Sequence, residues 1–251
     1  MNFFVRLTLT TILLFSIFSL EAQVKKKPVA KPGTSVKAKK PIQKKIAQPA
    51  PKKVIEPAEA RVRITTDLGE IIVKLYNKTP LHRDNFIRQV NARFYDSLLF
   101  HRIISGFMIQ GGDPDSKNAP PGIMLGKGDV GYTIPAEFDT TLYHKKGALA
   151  AARTNNPEKA SSGCQFYLVH GKKYTDEELN MIEMQNGVRF SSARRMTYKM
   201  LGGTPILDMN YTVFGEVESG LEVIDQIAQA PKGNFDRPVT DIHFSMEMIN
   251  K

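Results

Sequence analysis

The chain has 251 residues, 35 Lys+Arg against 25 Asp+Glu, a net charge of +10, one cysteine and no tryptophan. Length allows one or two domains, and a lone thiol excludes an internal disulfide, so whatever folds must stand on its own core. Arg6, Glu21, Glu56 and eleven lysines lie before Ala58, leaving 23 basic and 23 acidic residues after it; that balance argues against a nucleic-acid-binding face on the folded part.

In chain order, Met1–Ala22 reads as an export signal. Arg6 supplies the positive end, Leu7–Leu20 an apolar core too short for a comfortable membrane span, and Ala22 a small residue for cleavage. The alternative is an uncleaved segment that anchors the chain in an inner membrane. Residues 23–57 are Lys, Pro and Ala without aromatics or periodicity, which predicts a disordered, solvated linker. Its lysines suit either a spacer or contact with an anionic membrane or envelope surface. The folded domain is expected over 58–251, as a monomer in a periplasm or cell envelope.

Arg61–Thr66 and Glu70–Leu75 alternate apolar and polar residues around Asp67-Leu68-Gly69, which predicts a hairpin with one buried face. Thr79 precedes Pro80 and a helical stripe of Phe86, Ile87 and Val90, the pattern of a Thr-capped helix. Short strands are expected at 98–103, 107–110, 148–152, 165–169, 212–217 and 241–248, with a second helix over Leu221–Ala230. Many short strands, Gly-rich turns and two helices predict a mainly β domain, a closed antiparallel eight-stranded barrel with helical caps. Between about 171 and 202 lies a segment that this pattern does not need. Thr175-Asp-Glu-Glu is a capping box and Ser191–Met200 a second helical run, so the segment is expected to be a charged helical insertion of about thirty residues.

Phe100–Asp113 reads FHRIISGFMIQGGD. An arginine, two aromatics, a methionine and an amide within a few positions suit an apolar pocket with one fixed cation at its edge. In its order of Phe-His-Arg, two aliphatics, Gly-Phe-Met, Gln and Gly-Gly-Asp, the stretch resembles the signature of the cyclophilin family of peptidyl-prolyl isomerases. Two further blocks share the resemblance, which spans about Arg61–Met248 apart from the insertion. Ser161-Ser-Gly-Cys-Gln-Phe-Tyr-Leu is similar to the family's Gly-Ser-Gln-Phe-Phe segment, and Ile206-Leu-Asp-Met-Asn-Tyr-Thr-Val-Phe-Gly to its Trp-Leu-Asp-Gly-x-His-x-Val-Phe-Gly.

The resemblance implies rotation of X-Pro bonds in proline-containing unfolded or flexible polypeptides, with no cofactor and no metal. Arg102 would be the catalytic cation. His101, Phe107, Met108, Gln110, Ala152, Arg153, Gln165, Tyr167, Leu207 and Tyr211 would bind substrate, with Tyr167 where the family usually has Phe, Tyr211 where it has His, and Ile206 in place of its Trp. Such chemistry needs no nucleophile or general base, because the obstacle is amide resonance with a barrier of about 18–20 kcal/mol. The second reading is a module that grips proline segments, or a chaperone, with little turnover.

Three other signals carry less. Gly126-Lys-Gly128-Asp-Val-Gly131 fits G-x-G-x-x-G, but Pro135 follows and no helix opens there. Asp113, Asp115 and Asn118 lack the Gly and distal Glu of a helix-loop-helix calcium site. Cys164 has no histidine partner at recognisable spacing, which favours a structural thiol.

Overall fold

A computed structural model describes residues 58–249; the expected signal and linker lie outside the described residues. In chain order the elements are β1 (Arg61–Thr66), β2 (Gly69–Leu75), α1 (Pro80–Asn91), β3 (Leu98–Leu99), β4 (Arg102–Ile104), β5 (Met108–Gly111), β6 (Thr133–Ile134), β7 (Ala148–Ala151), β8 (Ser161–Ser162), β9 (Phe166–Val169), α2 (Asp176–Asn186), α3 (Ser192–Met200), β10 (Val213–Ser219), α4 (Leu221–Gln229) and β11 (His243–Ile249). The domain is mainly β, as expected, with α1 and α4 as the two domain helices and α2 and α3 in the insertion.

The β1–β2 hairpin pairs Val62 with Val73 and Ile64 with Ile71, and all four side chains are fully buried. At its turn Gly69 has φ +135°, and an added Cβ would lie 2.8 Å from Val223 Cγ2 of α4. Only glycine suits both the backbone and the close helix. From this hairpin the ladder runs β3-β11-β1-β2-β10-β7-β9-β5-β4, nine antiparallel strands rather than eight, with β6 and β8 as a separate pair. Both ends of that order fall within residues 98–104, so the sheet curls round until its two edges are neighbours in sequence. Among the described residues no ladder joins β3 to β4, where the sequence predicts a closed barrel.

Both faces of the central strands are buried, so period-2 alternation sorts apolar residues between two clusters. Ile103, Ile109, Leu149, Ala151, Phe166 and Leu168 enter the larger core, where Phe86 of α1 packs ring to ring with Tyr95, Phe166 and Phe214. Their neighbours Met108, Ala148, Ala150, Tyr167 and Val169 face the other way, into a smaller cluster with Phe107, Leu207 and Tyr211.

Thr79 does not cap α1. Its hydroxyl is buried without a hydrogen-bond partner, and its ψ of 64° is not that of a capping residue. Glu137, far along the chain, accepts instead from the backbone N–H of Leu81 (3.0 Å) and His82 (2.9 Å) and lies 2.6 Å from His82 Nδ1. A carboxylate also complements the positive helix end, a partner that local sequence does not reveal.

The insertion forms its own cluster from Leu179, Phe190 and Tyr198. Its capping box is present at Thr175 and Glu178, and Gly187 ends α2 at φ 64°. At its neck the two chain segments bond through Lys172 and Gly203. They pass so close that a Cβ on Gly171 would sit 2.5 Å from Gly203 Cα.

Candidate active site

Strand register builds the site. Arg102 on β4 pairs with Gln110 on β5, Gln110 with Tyr167 on β9, and Tyr167 with Ala150 on β7. Residues opposite one another in a ladder share a face, so a cation, an amide and an aromatic ring stand in one row. Met108 joins them two residues from Gln110, and Ala152 follows β7 on the same side. The second wall comes from the turn before β10, which carries Leu207 and Tyr211. Together Arg102, Phe107, Met108, Gln110, Ala152, Arg153, Tyr167, Leu207 and Tyr211 enclose a cavity of about 120 Å³. Nine of the eleven residues singled out from the sequence thus meet in one place.

A chain of amides orients the cation. Arg102 Nη1 lies 3.5 Å from Gln110 Oε1, Gln110 Nε2 donates to Gln165 Oε1 (3.0 Å), and Gln165 Nε2 donates to the carbonyls of Gly126 (3.2 Å) and Gly128 (2.7 Å). Because the two carbonyls only accept, they fix which end of Gln165 faces them, and Gln165 in turn fixes Gln110. Gln165 lines a second, wider cavity of about 550 Å³ that shares Gln110, Ala152 and Arg153 with the first and is bounded by the Gly126–Gly131 loop. Asp113, fully buried, holds that loop by accepting from the N–H of Gly126, while its other oxygen accepts from the N–H of Asp115 in its own turn. A Cβ on Gly128 would collide with its carboxylate. Gly128 therefore serves close packing on Asp113, while Gly126 and Gly131 supply positive φ, +100° and +79°.

Arg153 is committed elsewhere. Its guanidinium donates to the carbonyls of Asn210 (2.9 Å) and Thr154 (3.1 Å) and lies 4.7 Å over the Tyr211 ring, stiffening that wall. Arg102 is looser: 41% of its side chain is exposed, and its nearest carboxylate is Asp236 at 3.7 Å. The Asp236 contact was not evident from sequence, because it arrives from a turn 134 positions away.

Tyr167 is buried, and its hydroxyl meets His144 Nε2 at 2.9 Å. His144 Nδ1 lies 2.9 Å from Asp208 Oδ1, and an ionised carboxylate can only accept, so Nδ1 carries a proton; in the neutral imidazole Nε2 is then the acceptor and the Tyr167 hydroxyl the donor. The hydroxyl is thereby consumed behind the wall and the ring presents only carbon to the cavity, much as a phenylalanine would. Burial holds this phenol well above its ordinary pKa.

His101 is not in the cavity. It is 2% exposed, and neither ring nitrogen has a hydrogen-bond partner. The chain turns it inward one residue before Arg102, under the Gly-rich loop, where it cannot touch a bound peptide. Burial pushes its pKa down from 6.5 to about 4, against the opposing pull of Asp113. The folded state therefore binds this proton less well than the unfolded chain does. Stability is full above pH 6.5 and falls as pH drops towards 4, a loss on the order of 3 kcal/mol. Urea unfolding across this range should show that slope, and His101→Leu should reduce it, leaving the part contributed by His82 and His170, whose pKa values burial also lowers; equal slopes for both proteins would show that the histidine is not held neutral.

Cys164 is buried, and burial raises its thiol to about 11, the condition of an unreactive structural residue. Among the described residues no group of three or more His, Cys, Asp or Glu is placed to hold a metal ion, and no helix is long and apolar enough to cross a membrane.

Comparison with known proteins agrees with this geometry. The model of the family "Cyclophilin type peptidyl-prolyl cis-trans isomerase/CLD" matches residues 61–246. A curated protein of Staphylococcus haemolyticus named "Putative peptidyl-prolyl cis-trans isomerase" is 32% identical over 185 residues, covering 73% of this chain and 88% of its own length. A protein of the same name from Staphylococcus aureus strain COL matches to the same extent. Among solved structures, a cyclophilin-type peptidyl-prolyl cis-trans isomerase of Cryptosporidium parvum superposes with a TM-score of 0.56 at 20% identity, covering 77% of this chain and 99% of that one. The same Cryptosporidium protein solved in the presence of the dipeptide Ala-Pro gives 0.55.

Proposed function

The chain belongs to the cyclophilin-type peptidyl-prolyl cis-trans isomerases, and from that premise we propose that the cavity walled by Phe107, Met108, Tyr167, Leu207 and Tyr211 takes the prolyl ring while Arg102 assists rotation. The observation that carries this reading is the row Arg102–Gln110–Tyr167, which sets a partly exposed guanidinium and an amide beside the apolar surfaces of Phe107, Met108, Leu207 and the Tyr167 and Tyr211 rings, while the second arginine, Arg153, is bonded away to backbone carbonyls.

Rotation about the C–N bond breaks amide conjugation and leaves the prolyl nitrogen pyramidal and a better acceptor. A preplaced guanidinium stabilises that twisted form more than the planar one, which is the condition for catalysis as opposed to binding. Uncatalysed exchange takes tens to hundreds of seconds, so millisecond turnover requires roughly five decades, about 7 kcal/mol. One charge-assisted hydrogen bond supplies about 1.5–3 kcal/mol. The remainder comes from holding the ring in place and keeping water from the amide. A protease-coupled assay on an X-Pro peptide tests this directly. A folded protein that binds the peptide without accelerating isomerisation would support the gripping module instead.

We further propose that the enzyme is exported and assists proline-limited folding in a cell envelope, an assignment supported by the apolar run Leu7–Leu20 and by the confinement of the excess charge to the residues before Ala58. A native-host protein whose intact mass begins near Gln23 agrees with it; a mass that includes Met1 supports the anchored form. Deleting residues 23–57 should leave peptide turnover unchanged and weaken co-sedimentation with anionic vesicles, by on the order of 1 kcal/mol per engaged lysine at low salt. If both forms pellet equally, the lysines serve only as a spacer.

A further inference from the structure

The helical insertion lines neither cavity, yet three of its side chains reach the short segment that carries Leu207. Asn186 of α2 donates its amide to the carbonyl of Ile206 (3.1 Å). On α3, the Tyr198 hydroxyl donates to Asp208 Oδ2 (2.7 Å), and Arg194 Nη1 lies 3.5 Å from the same oxygen. Asp208 and Tyr198 are 2% and 0% exposed, so this is a buried junction. The other carboxylate oxygen, Oδ1, accepts from the backbone N–H and Nδ1–H of His144, both at 2.9 Å.

We propose that Tyr198 is a positioning residue for the prolyl pocket, acting through Asp208 and His144 on Tyr167. The insertion is then a brace behind the pocket wall, and the isomerase site is incomplete without it. This rests on reading the cavity beside Arg102 as the prolyl site. With a neutral imidazole at His144, every proton in the relay has one direction. Tyr198 donates to Oδ2, His144 Nδ1–H donates to Oδ1, and the bare Nε2 accepts from the Tyr167 hydroxyl. The His144 and Tyr167 rings are nearly parallel, 12° apart with centroids 6.0 Å apart, and the 2.9 Å hydrogen bond between Nε2 and the phenol is the contact through which a turn of the imidazole reaches the phenol. Buried hydrogen bonds in series strengthen one another, and withdrawing the first donor loosens those that follow. At the far end stands a pocket wall, which grips the prolyl ring alike in its planar and twisted states. Losing such a contact raises KM and leaves kcat in place.

The experiment is a double-mutant cycle on the full chain in the protease-coupled assay, with Arg102→Ala as a separate arm. Tyr198→Phe keeps the ring in its cluster and removes only the hydroxyl. KM should rise about three- to tenfold with kcat within about twofold. In the Tyr167→Phe background, where the relay is already cut, the same substitution should move KM by less than about twofold. An unmoved KM in folded Tyr198→Phe, or a full-sized effect in the Tyr167→Phe background, overturns the proposal. A second readout needs no variant: imidazole ¹⁵N shifts of the natural protein should show His144 protonated at Nδ1 and bare at Nε2, and the opposite tautomer breaks the relay. If Arg102→Ala leaves turnover unchanged, the site reading fails and this proposal with it. If Arg102→Ala is impaired but KM in Tyr198→Phe is not, only the brace fails.

Discussion

Replacing Arg102 by alanine is expected to lower kcat/KM for a short X-Pro peptide by two to three decades, about 2.7–4 kcal/mol, while leaving the fold intact. Stability should be nearly unchanged because the side chain is substantially exposed and its ion pair with Asp236, at 3.7 Å, is of the screened surface kind. Asp236 also keeps Lys232 as a partner at 2.6 Å, so no carboxylate is stranded. The loss should fall mainly on kcat, since the guanidinium is needed when the prolyl nitrogen becomes an acceptor and hardly before. Arg102→Lys should recover little: an ammonium is a point donor and cannot reach both Gln110 and the amide as a planar fork can. An unchanged rate in a folded Arg102→Ala protein would remove this residue from the mechanism and return the pocket to a binding role.

Much of this site was legible in the sequence because it is local in register. Arg102, Met108 and Gln110 sit in two adjacent strands whose register brings them to one face, and Phe107 lies in the tight turn that joins them. The helices were legible for a similar reason, the box at Thr175 and the stripe of Val223, Ile224 and Ile227 being short-range signals. What stayed hidden depends on partners far apart in the chain. Glu137 supersedes Thr79 as the cap of α1 from 55 residues beyond His82. His101 shares the motif of Arg102 yet points inward, a choice made by the packing of the Gly-rich loop and by no feature of the motif itself. His144 carries no motif either, yet it decides that the Tyr167 hydroxyl faces away from the cavity. Tyr167 therefore departs in composition from the Phe that the resemblance implies while keeping an apolar surface toward the cavity.

Asp208 is where these long-range partners meet, and Asp208→Ala should be the most damaging single change outside the apolar core. The carboxylate accepts from the His144 N–H and Nδ1–H and from the Tyr198 hydroxyl, and it faces the Arg194 guanidinium. Removing it leaves three donors buried without acceptors and one cation without its counter-charge. Each stranded donor costs about 1–3 kcal/mol, and breaking a buried charged cluster from one side typically costs about 3–5 kcal/mol in total, since the groups relax together. In a domain of this size a loss of 1 kcal/mol lowers Tm by about 2–4 °C, so a fall of roughly 6–20 °C is expected. Asp208→Asn should do far less harm. Its amide oxygen can still accept from both His144 groups, and its NH₂ can donate to the Tyr198 hydroxyl, which is free to reverse its own role. The contrast between Asn and Ala therefore separates lost hydrogen bonds from lost charge. Thermal unfolding followed by far-UV circular dichroism measures both: a fall below about 3 °C for Asp208→Ala would mean that water or a shifted side chain replaces the carboxylate, and an equal fall for Asn would mean that the Arg194 charge contact, not the hydrogen-bonded junction, dominates.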